Sequence, residues 1–316
     1  MKMETDMHYA LKDYGAEIQW NVGSLFCHDD AIMDLLKFCR KYGIDHSIKW
    51  AFGCIPSPLA SAMALPKLHT FSMAKETLER YLSYGVACRL ALTNPHATKG
   101  MIESDRTARQ LMEFLNETSS SNCPNGVTLS SDVLAEYVRD KYPKLNIILS
   151  TVRAAYDVGF GMVCDTMEWY VEKLENSLYD VVEVNNAKIH EDGFMENLPR
   201  KDKVELIACI NCIRNCPYAK HHFESALGVM QDASMDKNPE KCRMMLCEVS
   251  KMCIANRKRH LDKASSYTRE EVESLASLGY RRFQLSARMN DDERFLQDVK
   301  HYLFNYNHLR YLENLE

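Results

Sequence analysis

The sequence predicts an α/β protein built as one closed (β/α)8 TIM barrel. Eight short apolar or β-branched runs recur along the 316 residues, and stretches with helical periodicity separate most of them. No linker rich in Gly, Ser or Pro divides the chain, so residues 1–316 read as a single domain. An open, doubly wound sheet is the rival architecture, because alternation of strands and helices is common to both.

The elements follow in order. The first run, Ile18 to Gly23, leads into a helical stretch from Asp29 to Tyr42 that Gly43 ends. Ser47 to Gly53 comes next, then an extended loop over 54–72 holding Pro56, Pro58 and Pro66, then a helix from Met73 to Tyr84 stopped by Gly85. Val86 to Thr93 precedes Asp105 to Asn116, and Gly126 to Ser131 precedes Asp132 to Tyr142, with Ser131 placed to cap that helix. Leu145 to Val152 is followed by Asp165 to Glu175, and Tyr179 to Asn186 forms the sixth run. Lys203 to Asn211 leads to a helix from Pro217 to Met230. A long insert over 231–267 then separates it from the last run, Tyr280 to Arg288. Ahead of that run, Thr268 and Glu271 fit a capping box before Val272, Leu275 and Leu278, with Gly279 as the stop; Asp292 to Phe304 is the closing helix.

Composition narrows the function classes. With 46% hydrophobic and 26% charged residues the chain can bury a large core without disulfides. A net charge of −5 and a pI near 6.1 supply no global basic field, so nucleic acid is not an expected partner. There is no apolar stretch of about 18 residues and no apolar leader after Met1, which predicts a cytoplasmic protein without a membrane span. Twelve cysteines are then expected to stay reduced, as buried thiols or metal ligands.

A barrel places its active site at the C-terminal ends of its strands. Those ends are polar here: Cys54, Thr93, Asn94, Ser130, Ser131, Ser150, Thr151, Arg153, Glu183, Asn185, Asn186, His190, Gln284, Ser286 and Arg288. Strand alternation puts Glu183 and Asn185 on one side and Asn186 on the other, so only one set can line the mouth. Glu183, Asn185, His222 and Arg288 are the candidate catalytic or substrate-orienting residues.

The seventh run ends in Cys209-Ile-Asn-Cys212-Ile-Arg-Asn-Cys216-Pro217. Three thiols so spaced can converge on a soft metal centre, either a [4Fe-4S] cluster or zinc. Leu206 occupies the position where a bacterial ferredoxin run would begin with cysteine. The fourth ligand is expected from Cys247, with Cys242, Cys253 and Cys54 as alternatives; His221 or His222 would complete a zinc set. Cys27, Cys39, Cys88, Cys123 and Cys164 read as ordinary thiols.

The segment from Val204 to Tyr218, followed by His222 and Phe223, resembles the collagenase-like peptidase family and its iron–sulfur relatives. That resemblance implies a barrel whose Cys212 and Cys216, with further cysteines, bind a [4Fe-4S] cluster. It also implies either proteolysis or oxygen-independent hydroxylation. Relatives often carry another cysteine upstream of this pair, whereas no cysteine lies between Cys164 and Cys209 here.

Three function classes follow. The first is an iron–sulfur redox enzyme, such as a hydroxylase, acting on a small molecule or modified polymer with an electron donor as partner. The second is a zinc-dependent or collagenase-like peptidase acting on a peptide, although His-Glu-x-x-His and Gly-x-Ser-x-Gly signatures are absent. The third is a non-catalytic iron–sulfur subunit of a heteromeric assembly.

Overall fold

The computed structural model of the protein describes residues 18–23, 25–43, 46–61, 70–157, 166–209, 224, 227, 228, 251, 267–286 and 292–303. Its strands are β1 (Gln19–Val22), β2 (Ile48–Gly53), β3 (Ala87–Leu92), β4 (Gly126–Leu129), β5 (Asn146–Leu149), β6 (Val181–Val184), β7 (Val204–Cys209) and β8 (Arg282–Ser286). Each pairs in parallel with the next, and β8 returns to β1 through Trp20↔Phe283 and Val22↔Leu285. That closure excludes the open sheet.

Alternation along the strands creates two compartments. Trp20, Val22, Leu90, Leu92, Val127, Val182, Val184, Leu206, Phe283 and Leu285 face outward into one continuous apolar core beneath the helices. The residues between them, Asn21, Arg89, Thr128, Glu183, Glu205 and Gln284, are buried and polar, so the barrel interior is a polar compartment.

The helices are α1 (Asp29–Tyr42), α2 (Phe71–Ser83), α3 (Lys99–Ser104), α4 (Arg106–Thr118), α5 (Asp132–Lys141), α6 (Thr151–Asp157), α7 (Met167–Glu175), α8 (Phe194–Asn197), α9 (Arg269–Ser277) and α10 (Asp292–Leu303). In α4, Ala108, Leu111, Met112 and Leu115 form the buried stripe that fixes the helix on the barrel. Ser131 caps α5 by accepting from Leu134 N, and Thr268 and Glu271 form the full capping box of α9. Gly43, Gly85 and Gly279 adopt φ of 65°, 74° and 104°, as their positions after helices predict. The short α3, α6 and α8, and the 3-10 turns Asn186–His190 and Lys201–Lys203, lie where the sequence carries no long period. The insert at 231–267 falls, apart from Lys251 and Tyr267, outside the described residues.

Two loops shape the C-terminal rim. The segment after β1 presses on the end of β2: Leu25 N donates to Phe52 O at 3.1 Å, and a Cβ on Gly53 would sit 2.0 Å from Leu25 O. The segment after β2 is tied to the end of β3. Asn94 Nδ2 donates to Pro58 O at 2.7 Å, Asn94 N to Leu59 O at 2.9 Å, and Thr93 Oγ1 to Ser61 O at 3.0 Å. Thr93 and Asn94 therefore serve as loop anchors.

Candidate active site in the barrel mouth

The polar interior is organised around Glu205 of β7. Arg89 of β3 reaches it across the barrel, with Nη1 at 2.6 Å from Oε2 and side-chain exposures of 1% and 0%. A contact between strands four positions apart in a closed ring must pass through the interior. Asn21 of β1 donates through Nδ2 to Glu205 Oε1 at 2.9 Å. The Arg89 guanidinium stacks 4.1 Å from the Trp50 ring centroid, and Arg282 approaches the same ring at 5.8 Å. Trp50 is held in turn by donating from Nε1 to Pro124 O at 3.1 Å.

Gln284 of β8 links this cluster to Glu183 of β6. With its nitrogen turned toward the two carboxyl groups, the amide donates to Glu183 Oε1 at 3.1 Å and to Glu205 Oε1 at 3.0 Å. In the opposite placement its oxygen accepts from Asn21 Nδ2 at 3.1 Å but faces the Glu205 carboxyl oxygen. Glu183 Oε2 accepts from Thr151 N at 3.1 Å, just past the end of β5. Burial pushes the Glu183 carboxyl up to about 8, and Glu205 adds to the rise against the lowering effect of hydrogen bonds from Thr151 and Ser150 and of the Arg89 charge. A carboxyl group that changes charge near neutrality thus lies at the next-to-last position of β6, just below the mouth.

Asn185 follows directly after β6 and is only partly buried; its backbone N donates to the Tyr170 hydroxyl at 3.1 Å. At the end of β5, Arg153 bridges Asp132 at 2.9 Å and Asp157 at 2.6 Å. Burial raises the Asp132 carboxyl, but hydrogen bonds from Tyr179 and Arg153 outweigh it and hold the group below the usual carboxylate range. Arg153 is thereby committed to structure.

On the opposite rim, His28 Nδ1 lies 2.6 Å from Asp292 Oδ1, and the imidazole stacks on Phe295 at 4.4 Å. Phe26 takes a left-handed φ of 69° to enter this turn, its N donating to Asp29 Oδ1 at 2.9 Å. Cys54 is buried at the end of β2, and burial, followed by nearby Cys27, raises its thiol well above the ordinary value. A cavity of about 450 Å³ opens elsewhere, on the outer layer between α4 and α5, lined by Arg106, Arg109, Tyr137 and Tyr142 among others.

Of the residues selected from the sequence, Glu183 and Asn185 stand at the C-terminal end of β6, Glu183 within the strand and Asn185 just past it. Cys209 is the last residue of β7 and pairs in register with Ser286 of β8, so the cysteine segment starts at the rim. Cys212, Cys216, His222, Cys242, Cys247, Cys253 and Arg288 lie outside the described residues, as does Cys164. Among the described residues no three His, Cys, Asp or Glu side chains converge to hold a metal ion. Cys39 and Cys88 are buried in the outer core as ordinary thiols. The strand-end rule does not reach Asn21, Arg89 and Glu205, which sit mid-strand; their signal in the sequence is a polar or charged residue inside an otherwise apolar run, as in Cys88-Arg89-Leu90 and Val204-Glu205-Leu206.

The chain matches no protein-family model and no curated protein. Among solved structures, that of the U32 peptidase Mk0906 is similar to it, with a TM-score of 0.50 over 87% of this chain and 94% of that one at 12% sequence identity. At that identity the likeness establishes the common barrel fold. Among the described residues, no helix is long and apolar enough to cross a membrane.

Proposed function

We propose that this protein is a U32-peptidase-like hydrolase that works on a peptide at the C-terminal mouth of its barrel, with Glu183 as the proton-transferring group and Asn185 as a substrate contact. The observation that carries the reading is the buried Glu183 carboxyl, pushed up to about 8 beside the mouth. At neutral pH it is largely protonated, so it can give a proton to a leaving amine and recover it from water. The fold shared with a protein named as a peptidase supports the hydrolytic class.

A second reading rests on Cys209, which β7 brings to the rim at the start of the Cys-x-x-Cys-x-x-x-Cys-Pro segment. In it Cys209, Cys212, Cys216 and Cys247 hold a [4Fe-4S] cluster, with zinc as the alternative ion. The donor chemistry suits either, since thiolates bind both. A bound cluster would supply one-electron chemistry for an oxidoreductase or hydroxylase; zinc would supply a Lewis acid. Glu183 and Asn185 would orient substrate in either case.

Peptide cleavage by protein purified anaerobically with its metal content intact, followed by mass spectrometry over a mixed peptide library, separates the readings. Hydrolysis is expected, declining as pH rises through about 8, and Glu183→Gln should slow it by about 10²-fold or more. Unchanged cleavage by Glu183→Gln removes the hydrolytic assignment. Absence of cleavage together with stoichiometric iron and sulfide favours the redox reading.

A further inference from the structure

We propose that Arg89, by pairing with Glu205, keeps that group the carboxylate of the barrel interior and leaves Glu183 as the acid nearer the mouth. The inference rests on the reading of Glu183 as a proton-transferring group and extends it to residues that never reach the substrate. Glu183 and Glu205 are register partners on neighbouring strands and contact the same Gln284 amide nitrogen, at 3.1 and 3.0 Å. Two carboxyl groups so close in a buried interior cannot both ionise without a large penalty, so one holds a proton.

The surroundings decide which one. Glu205 receives three donors: the Arg89 guanidinium at 2.6 Å, Asn21 at 2.9 Å and the Gln284 amide at 3.0 Å. Arg282, which opens β8 as the register partner of Glu205, adds a second positive charge on that side. Among the described residues, the groups that hydrogen-bond Glu183, those of Thr151, Ser150 and Gln284, are uncharged, and the Arg89 charge acts on it more weakly than Glu205 does. The positive charge therefore settles on Glu205 and leaves the proton on Glu183. The Gln284 amide lies within hydrogen-bond reach of both carboxyl groups. Arg89 is thus a positioning residue.

Infrared difference titration of the intact protein reads this directly, through the carbonyl band of a protonated carboxylic acid. Wild type should show one buried acid at pH 7 that disappears near pH 8 and is missing in Glu183→Gln. Arg89→Met should retain a second protonated carboxyl at pH 7, and Arg89→Lys should return the count to one. Glu205→Gln, which removes the neighbouring negative charge and serves if Arg89→Met fails to fold, should move the Glu183 midpoint downward by about one pH unit. A purely structural role for Arg89 would leave band count and midpoint unchanged in both variants, and that result overturns the proposal. Turnover is not the readout, so a Glu183→Gln variant that still cleaves peptide would sink the hydrolytic reading while the proton assignment stood.

Discussion

Arg89 and Glu205 form an ion pair across the barrel interior, 2.6 Å apart and sealed from solvent on both sides. Neither charge could remain there alone, because an unpaired buried ion costs several kcal/mol. Arg89→Met should therefore destabilise the protein by about 3–5 kcal/mol in denaturant titration, and adding Glu205→Gln should restore most of that loss. Additive losses in the double variant would show that the two groups are energetically independent.

Glu183 links stability to pH. Its folded carboxyl is raised from 4.5 to about 8, so its contribution to stability is fully present below pH 4.5 and is lost as pH rises to 8. Glu183→Gln keeps the shape and cannot ionise. Its stability relative to wild type should improve by about 1.4 kcal/mol per pH unit across that window. A stability difference that stays flat from pH 5 to pH 8 would contradict the raised value.

Gly53 and Gly100 should respond in opposite directions. A Cβ at Gly53 meets Leu25 O at 2.0 Å, so Gly53→Ala must displace the rim loop and should cost ~1–3 kcal/mol. Gly100 lies in α3 with open space around it, and Gly100→Ala should stabilise by ~0.5–1 kcal/mol. Thermal melts of the two variants check both signs.

If the cysteine segment holds a metal centre, iron, sulfide and zinc analysis of anaerobically prepared protein should find it in wild type. Binding should vanish in Cys212→Ala and Cys216→Ala and persist in Cys39→Ala, whose thiol is buried in the outer core. Equal retention of metal by all three variants would remove Cys212 and Cys216 from the ligand set.

Much of the fold was legible in the chain. Apolar runs of strand length, helical stripes such as Ala108, Leu111, Met112 and Leu115, the caps at Ser131 and Thr268, and the stops at Gly43, Gly85 and Gly279 are local patterns, and local backbone physics decides them. The rule that barrel sites lie at strand C-termini selected Glu183 and Asn185, which stand at the C-terminal end of β6. It also selected Thr93, Asn94 and Arg153, which the folded chain uses to tie loops and helix ends together. A polar residue at a strand end looks the same in sequence whether it anchors a loop or faces a substrate.

By itself, the sequence determined the alternation of elements, the alternation of faces along each strand and the cysteine segment that follows β7. Only the tertiary structure decided that the ring closes, that its interior is polar, and that Asn21, Arg89, Glu183, Glu205 and Gln284 meet there. Asn21 and Glu205 are 184 positions apart and Arg89 and Glu205 are 116 apart. No periodicity spans such distances; closure of the sheet brings these groups together, and burial then makes their charges interdependent.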